Sequence, residues 1–245
     1  MPLVYLELLV LLVGSFMIGF ILTGFGFGVG LIVVPIFAMF FSPLEVNGLV
    51  VCMILIANIS AIYRYGRVQH IHSIIEILPF LVIGILIGAL ILSTQAQFLR
   101  LLIGLLCLSF SILQLLSLKK LIRFKIPKSL APLVGVFAGI ISAIAQVGSL
   151  PVTLYFTQKN FRKEVFVSTM VLLFFFSNVA KFCSYWFFGV LNYDIFIRGI
   201  SFFPLILAGS YAGYRLNKRI PQESFFYAVM GIAIFTSSMV VITSL

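Results

Sequence analysis

Ten apolar stretches fill almost the whole of this chain, near residues 3–23, 28–41, 44–63, 74–92, 97–118, 130–145, 147–157, 164–188, 195–216 and 223–244. A helix needs about 20 apolar residues to cross lipid hydrocarbon. Backbone polar groups there must be satisfied internally, so only helices or a closed barrel can use such stretches. Their continuity does not fit the alternating strands of about ten residues that build a barrel. The charge balance agrees: 9% of the 245 residues are charged and 62% are hydrophobic, whereas a soluble domain carries about 25% charge. The chain reads as an all-α polytopic membrane protein with about eight to ten membrane elements. A soluble enzyme, a DNA-binding domain and a disordered regulator are excluded.

The formal charge of +10 implies no nucleic-acid partner here, because Lys and Arg collect in the cytoplasmic loops of membrane proteins. Cys52, Cys107 and Cys183 lie singly in apolar runs, without metal-ligand spacing. The start, Met1 to Glu7, lacks a basic segment, so the first stretch is expected to be a retained helix rather than a cleaved signal.

The two halves match each other. Gly19 and Pro35 align with Gly135 and Pro151 at a shift of 116, and Asn58 with Asn178 at 120. Pro79, Gly84 and Gly88 align with Pro204, Gly209 and Gly213 at 125, and Phe98 and Gly104 with Phe225 and Gly231 at 127. Eight matches in order, with a slowly drifting shift, point to a duplication. It divides the chain into a first membrane repeat, 1–118, a basic linker, 119–129, and a second repeat, 130–245.

Charge then orients the repeats. Thirteen of the sixteen basic residues fall in four places: Arg64 and Arg67; Lys119, Lys120, Arg123, Lys125 and Lys128; Lys159, Arg162 and Lys163; Arg215, Lys218 and Arg219. Treating 3–41 and 130–157 as hairpins brings all four to one side, expected to be cytoplasmic. Each repeat then holds a broken or hairpin helix pair plus three transmembrane helices. The repeats are expected to be inverted, with both termini outside, an architecture common among secondary transporters. The hairpins either span fully or re-enter from one side.

Candidate site residues gather at two weak points in helix-forming sequence. Gly24-Phe25-Gly26-Phe27-Gly28-Val29-Gly30 is not a dinucleotide loop, since no strand precedes it and the spacing differs. Its glycines fit either small-residue contacts between helices or a helix break that presents backbone N–H groups to an anion. Gln146-Val147-Gly148-Ser149-Leu150-Pro151 is the second weak point, and paired breaks in two halves are the sequence sign of a transporter's binding site. Asn58 and Asn178, inside apolar spans, are either interhelical glue or ligand contacts. Lys181 shares a helical face with Asn178 and either serves function or snorkels to the outer interface. Arg100 and Arg198 are expected to snorkel. The substrate-binding set is thus Gly26, Gly28, Gly30, Asn58, Gln146, Gly148, Ser149, Asn178 and Lys181. His70, His72 and Glu76 are a weak metal signal and read as a solvated face, and the glycine pairs 84/88 and 209/213 read as packing surfaces. No hydrolase constellation or ATP-binding motif is present, so neither an enzyme nor a cofactor is expected.

Several of these motifs resemble the TauE/SafE sulfite exporter family, also called the toluene-sulfonate uptake permease family. They are the Gly24–Gly30 run ahead of Pro35, Tyr63-Arg64-Tyr65-Gly66-Arg67-Val68, Gly84/Gly88, Gly135-x3-Gly139, Gly148 to Pro151, Phe161-Arg162 and Tyr185 to Gly189. The resemblance covers nearly the whole chain. It departs at Val147 to Pro151, where the family usually has a Gly-Gly-Pro-type run. It implies a multi-pass protein of the cell (inner) membrane that carries small sulfur-containing anions such as sulfite or organosulfonates. The expected partners are that anion, the lipid bilayer and a coupling proton or sodium ion, and a homo-oligomer is compatible with the sequence. A passive anion channel and a non-transporting assembly or insertase-like protein are the alternative readings.

Overall fold

The computed structural model describes residues 2–26, 28–65, 68–92, 96–118, 126–159, 161–217 and 222–244. Arg67, Lys119, Lys120, Arg123, Lys125, Lys218 and Arg219 of the basic loops lie outside them. The described residues form eleven α-helices and no strand: α1 (Pro2–Phe25), α2 (Val29–Ala38), α3 (Pro43–Tyr65), α4 (Ile71–Ile91), α5 (Ala96–Leu118), α6 (Ala131–Ala145), α7 (Ser149–Thr157), α8 (Lys163–Phe187), α9 (Tyr193–Ser201), α10 (Phe203–Asn217) and α11 (Gln222–Ser244). Five helices are long and apolar enough to cross a membrane, and the bent pair α9–α10 makes a sixth. The stretch 195–216, which reads as one helix in sequence, is bent by 47° between Ser201 and Phe203. Pro204 explains the break, because it has no N–H to continue the ladder and its ring crowds the preceding turn.

Local chemistry sets the helix starts. Ser42 and Glu45 cap α3 reciprocally: the Ser42 backbone N donates to Glu45 Oε2 at 3.1 Å and the Glu45 N to Ser42 Oγ at 3.4 Å. Asn192 caps α9 by accepting from the Ile195 N at 2.9 Å. His70 caps α4, with its Nδ1 3.3 Å from the Ser73 N, which is the place the structure gives this histidine.

The most extensive helix contacts are α4 on α6 and α1 on α10, and they are reciprocal. A Cβ added to Gly84 would lie 2.1 Å from the Val136 carbonyl oxygen, and one added to Gly209 would lie 2.1 Å from that of Phe16. Gly88 faces the Ile140 carbonyl as Gly213 faces that of Phe20. Backbones this close admit only glycine, so both pairs are packing surfaces. A shift of 120 also carries Tyr65 and Thr23 onto Tyr185 and Ala143. In each half the tyrosine hydroxyl donates to the earlier residue's carbonyl at 2.5 Å. Equivalent helices α3 and α8 run antiparallel: Asn47 near the start of α3 meets Tyr185 near the end of α8, while His70, past the end of α3, meets Thr169 near the start of α8. These relations are consistent with two inverted copies.

The structure corrects the alignment around the breaks. Gly19 corresponds to Gly139 rather than Gly135, since these two face the carbonyls of Ile206 and Leu81, residues that themselves match at a shift of 125. Glycines four apart sit on one helical face a turn apart, so sequence cannot choose between the registers. Pro35 and Pro151 are not equivalent either. Pro35 is the seventh residue of α2 and Pro151 the third of α7, where the first turn tolerates proline.

Candidate functional site

Each hairpin breaks where a residue takes positive φ. Gly26 and Gly28 sit at 80° and 93° before α2, and Gln146 at 59° before α7. Glycine adopts this region without strain, whereas Gln146 is the only described non-glycine residue that does so. The two breaks touch. A Cβ on Gly30 would lie 2.1 Å from the Gln146 carbonyl oxygen, so the first turn of α2 rests against the C-terminal end of α6.

A small cavity, ≈ 30 Å³, opens where the tips meet, lined by residues of both breaks together with Leu22, Ile54, Ser142, Phe174, Asn178 and Lys181. The first turns of α2 and α7 both border it. The leading N–H groups of a helix have no acceptor within it and carry partial positive charge; here the Leu31 and Leu150 N–H groups donate to the Gly28 and Val147 carbonyls at 3.2 Å. Lys181 adds a side-chain amine. It is 1% exposed, and its Nζ donates to Gln146 Oε1 at 2.5 Å. Gln146 is fixed in turn, because its Nε2 donates to Asn47 Oδ1 at 3.3 Å. The Asn47 Nδ2 donates to the carbonyls of Pro43 and Ile144 at 2.9 and 3.0 Å. The Tyr185 hydroxyl, which donates to the Ala143 carbonyl, lies 3.5 Å from Asn47 Oδ1.

No carboxylate lines this cavity. Glu45 pairs with Arg198 at 3.5 Å, and Glu76 is held by Lys159 and Tyr155. A buried lysine with no acid beside it and two helix N-termini direct hydrogen-bond donors into one space. Its chemical complement is a compact anion.

The sequence matches the family described as Sulfite exporter TauE/SafE over residues 11–240. The chain belongs to the TauE/SafE sulfite exporter family. No curated protein and no solved structure matches it. TauE/SafE proteins are membrane anion exporters, transporters rather than enzymes, and this member is accordingly a multi-pass membrane protein.

In this TauE/SafE chain the structure brings Gly26, Gly28, Gly30, Gln146, Ser149, Asn178 and Lys181 to one cavity. Two residues of the expected set lie elsewhere. Gly148 packs on α6, where a Cβ would lie 2.3 Å from the Ala138 carbonyl oxygen. Asn58 is fully buried outside the cavity lining, and neither of its amide atoms has a partner among the described residues. Lys181 does not snorkel: it points inward because Gln146 offers an acceptor. Arg198 does reach the surface, beside Glu45. Sequence reasoning missed Asn47, Ser142 and Tyr185. Asn47 left a readable sign, an amide two residues after Glu45, the first-turn acid of an apolar span. Nothing in the sequence indicates that it meets Gln146, 99 positions away.

Proposed function

We propose that the protein is a secondary transporter of a small sulfur-containing anion, sulfite or a compact organosulfonate, working by alternating access. The observation that carries this reading is Lys181, a buried ammonium without an acid, set between two half-helix ends. The anion accepts from Lys181 Nζ, from the first-turn N–H groups of α2 and α7, and from Ser149 and Asn178. Gln146 is a positioning residue, since its amide is already engaged by Lys181 and Asn47.

Repeats 1–118 and 130–245 both contribute to this site and are joined by the cytoplasmic linker 119–129, with both termini outside. The reciprocal seams α1–α10 and α4–α6 link the repeats as two rigid blocks. Rocking these blocks opens one break at a time, and the ≈ 30 Å³ cavity represents a closed stage. A proton or sodium ion couples the cycle.

The test is uptake by proteoliposomes of sulfite, sulfoacetate, sulfate, thiosulfate and taurine. Saturable, competitive transport of the sulfur anions is expected. Linear, unsaturable flux would instead mark a channel, and transport of cations or neutral solutes alone would overturn the anion assignment.

A further inference from the structure

The bundle end that carries Arg64 and Arg215 has a second cleft, ≈ 360 Å³, lined by Phe20 of α1 and by Tyr211, Ala212, Arg215 and Leu216 of α10. It shares no lining residue with the core cavity. The glycine seam creates it. Gly213 lets α10 touch the α1 backbone at Phe20, and the neighbouring Ala212 has no side chain long enough to fill the groove beside that contact.

Two guanidinium groups converge here on one ring. The Arg215 Cζ is 4.8 Å from the Tyr211 ring centroid, and the Arg64 Cζ, arriving from α3, is 5.3 Å from the same ring. Arg64 also lies 5.8 Å from the Tyr214 ring and donates from Nε to Ser60 Oγ at 3.4 Å. Aromatic faces attract cations but do not neutralise them. Neither arginine pairs with a carboxylate among the described residues, whose ion pairs are Lys159–Glu76 and Arg198–Glu45. Tyr63, 90% exposed, and the half-exposed Tyr211 mark this level as the interfacial aromatic belt, where lipid phosphates lie.

We propose that this cleft binds an anionic phospholipid, with its phosphate between Arg64 and Arg215 and one acyl chain against Phe20, Ala212 and Leu216. Guanidinium forks match phosphate oxygens, and the apolar wall beside them suits a chain that no soluble oxyanion carries. The test uses the full-length protein in detergent, incubated with equal amounts of phosphatidylglycerol and phosphatidylcholine. Retained lipid is counted by native mass spectrometry, and glycerol phosphate is the soluble competitor. Phosphatidylglycerol should be retained preferentially, by about fivefold for each guanidinium. The double variant R64Q/R215Q should lose the preference, and Arg215→Lys should keep part of it. Ala212→Trp fills the groove with both charges intact and should lower retention of the lipid. Monodisperse elution checks that each variant is folded. Equal retention of both lipids by the wild type, or an unchanged preference in R64Q/R215Q, would overturn the proposal. Displacement by glycerol phosphate as readily as by lipid would do so as well, marking a soluble-anion site.

Discussion

Replacing Lys181 by Met tests the reasoning about the site most directly. Methionine keeps much of the length and the apolar stem but removes the ammonium. That ammonium makes one bond, to Gln146 Oε1 at 2.5 Å, and a lysine has two more N–H donors to offer an anion. A hydrogen bond to a charged group contributes about 1.5–3 kcal/mol. Losing one should therefore weaken anion binding about 10- to 150-fold. Stability should respond differently. The change orphans Gln146 Oε1, at a cost of about 1–3 kcal/mol, but it also removes the desolvation cost of burying a lysine that no acid offsets. The melting temperature of Lys181→Met should hold or rise. Calorimetric titration with sulfite and thermal melts of the purified protein read the two quantities separately. Sulfite affinity equal to the wild type would refute placement of the anion at Lys181. A steep loss of folded protein would show that the ammonium serves packing instead.

Asn47→Ala leaves Gln146 Nε2 and the Ile144 carbonyl without their partner, so it should cost about 1–3 kcal/mol in a melt and weaken sulfite binding although Asn47 does not line the cavity. Gly30→Ala should part the hairpin tips, because its Cβ would lie 2.1 Å from a backbone carbonyl oxygen, costing about 1–3 kcal/mol. Gly28→Ala meets nothing within 4 Å and should cost about 1–2 kcal/mol through its positive φ alone, so melts should rank Gly30→Ala as the less stable. Asn178→Ala should lower sulfite affinity about tenfold or more, whereas Asn58→Ala, outside the cavity lining, should leave it unchanged; unchanged affinity in Asn178→Ala would assign that amide to helix packing. In a background without the native cysteines, Lys128→Cys should resist a membrane-impermeant thiol reagent applied to intact cells while Tyr193→Cys reacts; labelling of Lys128→Cys from outside would reverse the topology.

Much of the molecule was legible without coordinates, because lipid leaves a chain few choices. Long apolar runs in lipid must be helical, so nine of the ten stretches appear as single helices near their expected bounds and 195–216 as the bent pair α9–α10. The glycine pairs 84/88 and 209/213 announced packing surfaces, since a residue without a side chain inside a span invites a neighbour's backbone. The two weak points also stood out, as glycine runs and prolines interrupt helices wherever they occur. Local chemistry settles these features, and local chemistry is written in the sequence.

Tertiary packing decided the rest. Gly19 pairs with Gly139 and not Gly135 because register depends on which carbonyl stands opposite, and residues one turn apart look alike from the chain itself. Lys181 could have reached for the interface or the interior with the same side chain. It turns inward because α6 ends nearby with Gln146 in a left-handed conformation, and because Asn47, from the other repeat, holds that glutamine's amide. Asn58 and Asn178 match in sequence yet differ in surroundings, one without a partner among the described residues and one lining the cavity, since Lys181 and Gln146 have Ala61 and Gly26 as their counterparts at a shift of 120. The two halves are matching scaffolds at a shift of 120, and the differences at those positions place the lysine on one side of the pair. Such long-range pairing depends on how helices meet, and no pattern along a single helix encodes it.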